Sequence, residues 1–224
     1  MPKFNRAYFN SKFYSCREDF WHYFDSEYES KKYQRQIGLA KDLAGSIPIK
    51  RLLELGCAEG AFTKRLAEEW PDAGIDAVDI SDIAVGRALE LMGGYGERVR
   101  ISDDDYFRYV SGLDKEVYDG VFLSESLYYL GSDHSWVEVC DFLEKLAHSV
   151  KVGGFLVMAH IVNASPKTQR FIMDGYRAVI SGLMQPVYMK EYRAFKKEDD
   201  ESYTYQIWGF KKGQNIGLSG KAAG

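Results

Sequence analysis

The sequence predicts an α/β fold in which helices cover both faces of a mostly parallel, seven-stranded sheet. From Arg51 onward, short apolar runs of strand length alternate with helical segments, which is typical of parallel β-α-β units. Near the end of the chain, two strand-like runs are separated only by the charged segment 197–201. This short separation predicts a closing antiparallel hairpin.

The predicted elements follow from apolar runs and helical periodicity. Parallel strands are predicted at residues 51–55, 75–79, 99–102, 118–124 and 154–161, and the hairpin strands at 187–196 and 202–212. Helices are predicted at residues 62–70, 82–92, 134–150 and 168–184.

Three segments make up the predicted domain organisation. Residues 1–50 are polar, aromatic-rich and predicted to be helical, and they form a lid over the acceptor or, in the alternative interpretation, an ordinary packing face. The aromatic side chains proposed for that lid are Phe20, Trp21, Tyr23, Phe24 and Tyr28. Residues 51–212 form one enzyme-sized domain, and the Gly- and Ser-rich residues 213–224 are predicted to be a disordered tail.

Composition limits the classes of partner. The formal net charge of −4 and pI near 5.7 argue against nucleic acid. No apolar run approaches the roughly 18 residues of a membrane span, and the first twenty residues lack the apolar core of a signal peptide. We therefore expect a cytoplasmic protein without a membrane partner, whose three cysteines, lacking a CxxC pair, are reduced thiols.

The segment 54–63 (ELGCAEGAFT) joins the first strand to a helix through a turn of small residues. Such a turn at a helix N-terminus binds a polar ligand. Gly56 and Gly60 let the backbone approach that ligand, and Ala58 is the next smallest choice. The G-x-G-x-x-G pattern of a pyrophosphate site is missing, whereas Glu54 suits the ammonium of an amino-acid group. These features favour S-adenosylmethionine over NAD.

Acidic residues end the next two strands. Asp79 ends the second strand, at the spacing where a carboxylate accepts hydrogen bonds from ribose hydroxyls. After the third strand, Asp104 or Asp105 is positioned for an adenine amino group, with Tyr106 or Phe107 beside the ring. The alternative for each acid is a helix cap or a solvated turn.

These residues resemble the class I S-adenosylmethionine-dependent methyltransferases, and more narrowly the NodS-like (nodulation protein S type) small-molecule group. The resemblance spans roughly residues 21–161, and its most specific parts are 54–63 and 124–130 (SESLYYL). It implies a Rossmann-like fold, a methyl donor that becomes S-adenosylhomocysteine, and a small-molecule acceptor, most simply an amine of a sugar or secondary metabolite.

The resemblance also implies roles for individual residues. The methionine end of the cofactor would lie against Glu54, Gly56, Cys57, Ala58 and Gly60. Asp79 and Ile80 would contact the ribose, Asp104 or Asp105 the adenine, and Ser124 would lie under the sulfonium. Lys32 would pair with the cofactor carboxylate, although a surface ion pair with Glu29 is the alternative.

Methyl transfer is an in-line displacement that depends on positioning and exclusion of water. Tyr128 and Tyr129 would wall the donor methyl, or else pack the seam between helix and sheet. His160 would take a proton, or else be a structural histidine. Glu125 and His134 are the other candidates at the same edge for a group near the acceptor. No His/Glu spacing indicates a metal site.

Three other functions remain open at this stage. The first is O-methylation, for which the acceptor hydroxyl gains from a base. The second is a cofactor-binding module without catalysis, which would bind the donor and form no product. The third, an NAD enzyme, is disfavoured by the missing glycine pattern.

Overall fold

A computed structural model describes residues 4–15, 19, 21–165, 168–198 and 200–213. The helices are α1 (Arg6–Ser15), α2 (Glu27–Ala44), α3 (Ala61–Glu69), α4 (Asp82–Met92), α5 (Tyr106–Ser111), α6 (Leu127–Asp133), α7 (Trp136–Ser149) and α8 (Arg170–Leu183). The strands are β1 (Arg51–Leu55), β2 (Gly74–Asp79), β3 (Val99–Asp103), β4 (Tyr118–Ser124), β5 (Val150–Ile161), β6 (Gln185–Lys196) and β7 (Glu201–Lys211). A 3₁₀ segment, Gly93–Arg98, joins α4 to β3.

The seven strands form one sheet in the order β3-β2-β1-β4-β5-β7-β6. Strands β1 to β5 pair in parallel, whereas β7 pairs antiparallel with both β5 and β6. The predicted mostly parallel sheet with a closing antiparallel hairpin is therefore confirmed. The strand order reverses between β1 and β4, and ligands of such sheets bind outside the strand ends at this point.

Side-chain caps fix where several helices begin. The hydroxyl of Ser81 accepts a hydrogen bond from the Ala84 N–H at 3.2 Å, so α4 begins directly after β2, as the sequence predicts. Ser135 and Glu138 form a capping box at the start of α7. This box is the reason that α7 begins at Trp136 and not at His134.

Three short stretches differ from the sequence prediction. The segments 106–111 and 127–133 are the helices α5 and α6, both too short to show helical periodicity. Strand β5 begins at Val150 and not at Gly154. Its extension depends on the far end of the chain, because the Gly153 N–H donates to the Lys212 carbonyl and the Lys212 N–H to the Gly154 carbonyl.

The N-terminal segment is less continuously helical than predicted. Residues 21–25 form a turn between α1 and α2. The backbone has positive φ at Asp19 and His22, which interrupts any helix there. Of the predicted features of this segment, Phe20 and Cys16 lie outside the described residues, and so does nearly all of the predicted tail, from residue 214 onward.

Buried side chains form a core on each face of the sheet. Helices α7 and α8 pack on one face with buried residues such as Leu143 and Ile180. Helices α2 and α3 pack on the other, where Leu39 and Leu66 are buried. Within the described residues, no helix has the length and apolar character needed to cross a membrane.

Candidate active site

A cavity of about 570 Å³ lies at the carboxyl ends of the parallel strands. The carboxyl ends of β1 and β2 and the turns that follow β1, β2 and β3 form one wall, which includes Glu54, Asp79 and Asp105 and is here called the donor wall after the role that the sequence predicts for it. The opposite side, here called the acceptor wall, comes from α1, α2, α6 and the segments beside them. It includes Lys32 and Glu125. The cavity therefore brings together side chains from the ends of the strands and side chains from the N-terminal helices.

The turn after β1 is held against β2 by its backbone. The N–H groups of Gly56 and Cys57 both donate to the Val78 carbonyl, at 2.8 and 3.0 Å. Gly56 has φ +80°, and a Cβ there would lie 2.9 Å from the Cβ of Ser126. Only glycine meets both conditions without strain. The turn consequently passes close to the cavity floor.

Two other turn residues differ in their relation to the cavity. Ala58 lines the cavity and has φ +48°, a conformation that is uncommon outside glycine. Gly60 does not line it. With φ +85°, Gly60 caps α3, and a Cβ there would lie 3.1 Å from the Cβ of Ala88. The prediction that Gly60 approaches a ligand therefore stays a prediction, while the structure shows that glycine at this position allows α3 to pack against α4.

Asp79 is buried at the end of β2 and lines the cavity. Its two carboxylate oxygens accept hydrogen bonds from the Ser81 and Ala58 N–H groups, at 2.9 and 2.8 Å. Burial raises the pKa of Asp79, and these backbone donors oppose that rise. An ionised carboxylate has about four acceptor positions, so Asp79 can still accept from a diol. The adjacent Ile80 lines the cavity as well.

Glu54 is a buried carboxyl group on the donor wall. The Thr63 hydroxyl donates to it at 2.6 Å. Burial raises the pKa of Glu54 to about 7. Such a carboxyl group, deprived of water, binds a cation more strongly than an exposed one does. Cys57 beside it keeps its proton, because burial raises the pKa of the thiol.

The two acids after β3, between which the sequence could not choose, have different positions in the structure. Asp105 lines the cavity and caps α5, accepting from the Phe107 N–H at 2.7 Å. Asp104 instead pairs with the exposed Arg108 at 2.6 Å and lies outside the cavity. Tyr106 lines the cavity, and its hydroxyl donates to the Ser126 carbonyl at 3.0 Å. Asp105 and Tyr106 are therefore the two residues of this segment that an adenine ring in the cavity could contact.

Lys32 lies on the acceptor wall but is already paired. Its side chain is 1% exposed, and its ammonium lies 2.8 Å from Glu29 and 3.1 Å from Glu125. Burial alone would lower the pKa of Lys32, but the carboxylates of Glu125 and Glu29 outweigh it and raise the pKa. The predicted pairing with a cofactor carboxylate is thus corrected, because two protein carboxylates occupy this charge. The alternative ion pair with Glu29 exists, but it is buried.

Glu125, which the sequence placed at this edge of the sheet, lines the cavity, whereas Gln36 was not predicted and lies behind the lining residues. Glu125 follows β4 with φ +57°, an uncommon conformation that marks many functional sites. Gln36 donates to the hydroxyl of Ser124, a cavity residue, at 3.2 Å. A signal was present in the sequence: Glu29, Lys32 and Gln36 are polar residues at helical spacing on the buried face of α2.

Tyr128 and Tyr129 both line the cavity. The Tyr128 hydroxyl donates to Glu125 at 3.3 Å, and the two tyrosine rings are 4.7 Å apart. The Tyr129 ring contacts Phe4 and Phe9 of the N-terminal segment, each at 5.0 Å. Burial raises the pKa of both tyrosines, so they stay neutral. Their position suits a wall and not a base.

His160 lies outside the cavity. Its ring is fully buried, 4.0 Å from the Trp208 ring, on the face of the sheet that carries α7 and α8. Burial lowers the pKa of His160 to about 3. The predicted role as a base is therefore corrected to the alternative, a neutral structural histidine. His134 does line the cavity, with its ring stacked on Phe107 at 4.0 Å.

Aromatic residues of the N-terminal segment line the rest of the acceptor wall. Phe13, Trp21 and Tyr23 form a chain of rings with centroids 5.0 and 5.9 Å apart, and all three face the cavity. Phe24 is exposed and is not a lining residue. Among the described residues, no cluster of His, Cys, Asp or Glu side chains has the arrangement of a metal site.

Comparison with known proteins bears on this geometry. Residues 53–156 match the model of a family described as a methyltransferase domain. The N-methyltransferase NodS from Bradyrhizobium japonicum WM9, solved with S-adenosyl-L-homocysteine, has a similar structure with a TM-score of 0.69 at 19% identity. The match covers 88% of this chain and 93% of NodS.

Two further solved structures share the fold at lower identity. One is phosphoethanolamine N-methyltransferase 2 from Haemonchus contortus, with a TM-score of 0.59, 12% identity, and coverage of 81% of this chain and 53% of that chain. The other is geranyl diphosphate C-methyltransferase from Streptomyces coelicolor A3(2), with a TM-score of 0.61, 13% identity, and coverage of 82% and 79%. At these identities the likeness is one of fold.

Proposed function

We propose that this chain, of which residues 53–156 match the model of a methyltransferase domain and whose fold is similar to that of NodS, transfers the methyl group of S-adenosylmethionine to an amine nitrogen of a small molecule. The observation that carries the proposal is the composition of the cavity. Acidic strand ends suited to the donor face an acceptor wall of carboxylates and aromatic rings across one space.

The donor wall fits the cofactor group by group. Glu54 is a buried carboxyl group for the ammonium of the methionine end. Asp79 retains free acceptor positions for the ribose hydroxyls. Asp105, with Tyr106 beside it, serves the adenine. Ile80, Cys57, Ala58 and Ser124 line the space between these groups. When bound, S-adenosylmethionine supplies an electrophilic methyl group on a positively charged sulfur.

The acceptor wall favours nitrogen over oxygen. The tyrosines stay neutral and His160 lies outside the cavity, so none of these three serves a hydroxyl acceptor as a base, whereas an amine reacts once it has lost a proton. Glu125 and His134 are other titratable groups that line the cavity near the acceptor. With the donor bound, the amine would first give one proton to solvent, its lone pair would then form the N–C bond, and the electron pair of the broken C–S bond would stay on sulfur. Aromatic rings such as Tyr128 and Tyr129 exclude water and attract the passing positive charge. Two of the similar structures are named N-methyltransferases, which supports the same choice.

Residues 1–50 act, in this proposal, as a lid over the cavity. Helix α1 reaches the donor wall through polar contacts: Asn10 accepts from the Ser81 hydroxyl at 2.7 Å, and Arg6 pairs with Asp82 and Asp103. The Arg6 pairs are partly exposed, and exposed ion pairs contribute little stability. Within this segment α1 is the part that moves when the ligand enters, since α2 is packed in the core on the sheet.

The proposal is tested in two steps on the purified chain. Calorimetric titration with S-adenosylmethionine and, separately, NAD tests the donor wall, and we expect saturable binding of the methyl donor alone. Mass spectrometry then measures methyl transfer to matched pairs of primary amines and alcohols. Faster methylation of the amines supports the proposal. Preferential methylation of the alcohols indicates an O-methyltransferase, and donor binding without any product indicates a non-catalytic module.

A further inference from the structure

Glu125 is a rigidly held carboxylate at the acceptor wall. One oxygen accepts from the Ile161 N–H at 3.0 Å and from the Tyr128 hydroxyl at 3.3 Å, and the other accepts from Lys32 at 3.1 Å. With about four acceptor positions in an ionised carboxylate, the oxygen that faces Lys32 keeps one position for a further donor. The Glu125 side chain is 16% exposed, whereas that of Lys32 is 1% exposed. Glu125 is consequently the member of this group that a ligand can reach.

The charge around Glu125 does not cancel. Lys32 contributes one positive charge and is shared by two carboxylates, Glu29 on its own helix and Glu125 after β4. Glu29 is almost fully buried, at 5% exposure. The three side chains together therefore carry one net negative charge. Since Glu29, which is less exposed than Glu125, already balances Lys32, the charge of Glu125 remains available to the cavity.

The hydroxyl of Tyr28 is a second polar group at this place that a ligand could contact. Tyr28 lines the cavity and is 4% exposed, and within the described residues its hydroxyl has no hydrogen-bond partner. Burial, together with the carboxylates of Glu125 and Glu29, raises the pKa of Tyr28 far above its usual range. A buried neutral hydroxyl without a partner costs free energy. A ligand ammonium next to these carboxylates would supply the missing donor.

We propose that Glu125 binds the ammonium of the acceptor, that Glu29 acts as a positioning residue by balancing Lys32, and that the pocket selects a monocationic amine without an acidic group. This inference rests on the proposed function and specifies its acceptor. A neutral alcohol gains nothing from the net charge. A zwitterion brings a carboxylate that the charge of Glu125 repels.

Three probes of one shape test this selection. Phenethylamine is a monocation, 2-phenylethanol is its neutral counterpart, and phenylalanine carries the same ring and ammonium with an added carboxylate. Calorimetry on the full chain saturated with S-adenosylhomocysteine gives their dissociation constants. We expect phenethylamine to bind at least about tenfold more tightly than either other probe, as a charge-assisted hydrogen bond implies. Equal binding of the three, or no binding of phenethylamine, overturns the inference.

Charge variants test the separate roles. Glu125→Gln should weaken phenethylamine by about tenfold to a hundredfold and leave 2-phenylethanol unchanged. Glu29→Gln should weaken phenethylamine binding by about tenfold, because the group of three side chains becomes neutral. The double variant Glu29→Gln with Lys32→Met restores one net negative charge and should restore amine binding. Glu27→Gln, an exposed change on the same helix, is the matched control and should change nothing.

The outcomes separate this inference from the proposed function. If S-adenosylhomocysteine does not bind, the proposed function fails, and the same probes are then titrated into the free protein. If it binds and the double variant behaves like Glu29→Gln alone, with melting temperatures showing that each variant is folded, the charge-balance role is wrong. If a variant does not fold, a salt titration of the wild-type protein takes its place. High salt should reduce the difference between the dissociation constants of phenethylamine and 2-phenylethanol. An unchanged difference contradicts the inference.

Discussion

The two walls of the cavity are built in different ways. On the donor wall, each acid is held by a donor close to it in sequence: Asp79 by the Ser81 N–H, Asp105 by the Phe107 N–H, and Glu54 by Thr63 nine residues away. On the acceptor wall, Lys32 meets Glu125 across 93 residues. The first wall is therefore shaped by local turns. The second exists only when α2 is docked on the sheet.

The largest expected effect comes from the β1–α3 turn. Gly56→Ala would place a Cβ 2.9 Å from Ser126 at φ +80°, and we expect a loss of about 2–4 kcal/mol in the free energy of unfolding. Urea denaturation measures it. The matched control is Gly38→Ala in α2, where a Cβ meets nothing within 4 Å. That change should stabilise the protein by about 0.5–1 kcal/mol, and equal destabilisation by both would contradict the local explanation.

Asp79 tests whether the donor wall binds the cofactor. Asp79→Ala removes a buried acceptor and should weaken S-adenosylmethionine binding by about 1.5–3 kcal/mol, the range for hydrogen bonds to charged groups. Calorimetry measures the change. Asp104→Ala removes an acid that pairs only with exposed Arg108, so it should leave the affinity nearly unchanged. If the two variants lose affinity equally, the distinction between lining and non-lining acids is wrong.

Glu54 predicts a pH dependence of donor binding. Its pKa of about 7 lies far above the usual value for a glutamate. The ionised form attracts the ammonium, so protonation as the pH falls through about 7 weakens binding. From about pH 7.5 to about pH 6 we expect roughly an eightfold rise in the dissociation constant. Glu54→Gln should bind weakly with a flat profile, and a flat profile in the wild type would refute this role.

The smallest effect is expected at His160, which belongs to neither wall. Its ring is buried and, because burial lowers its pKa to about 3, neutral near pH 7. His160→Leu should change the rate of single-turnover methyl transfer by less than about twofold, since no proton passes through this ring. A loss of a hundredfold or more in a variant with an unchanged melting temperature would return His160 to the catalytic machinery.

The donor wall could be predicted from the sequence because its signals are local. A strand, a small-residue turn and an acidic strand end are each contained in about ten residues, and this was enough for Glu54, Gly56 and Asp79. The sequence could not show which of Asp104 and Asp105 lines the cavity. That depends on which carboxylate caps α5 and which pairs with Arg108, and neighbouring residues in a loop carry no periodic signal.

The acceptor wall could not be predicted in the same way. The helical spacing shows that one face of α2 carries Glu29, Lys32 and Gln36. Whether that face contacts solvent or a cavity depends on how α2 packs on the sheet. His160 lies near the carboxyl end of β5, at the edge of the sheet where the cavity is. Its side chain nevertheless points to the face of the sheet that carries α7 and α8. Strand residues alternate between faces, so a shift of one position decides between cavity and core.

By itself, the sequence determined the α/β class, the parallel strands, the closing hairpin and the acidic strand ends, because hydrophobic periodicity and turn chemistry are properties of short segments. Only the tertiary structure decided which charges meet. The pairing of Lys32 with Glu29 and Glu125, the net charge left on the acceptor wall and the burial of His160 arise from residues far apart in the chain. Burial and charge interaction depend on distance in space, which the order of residues does not give.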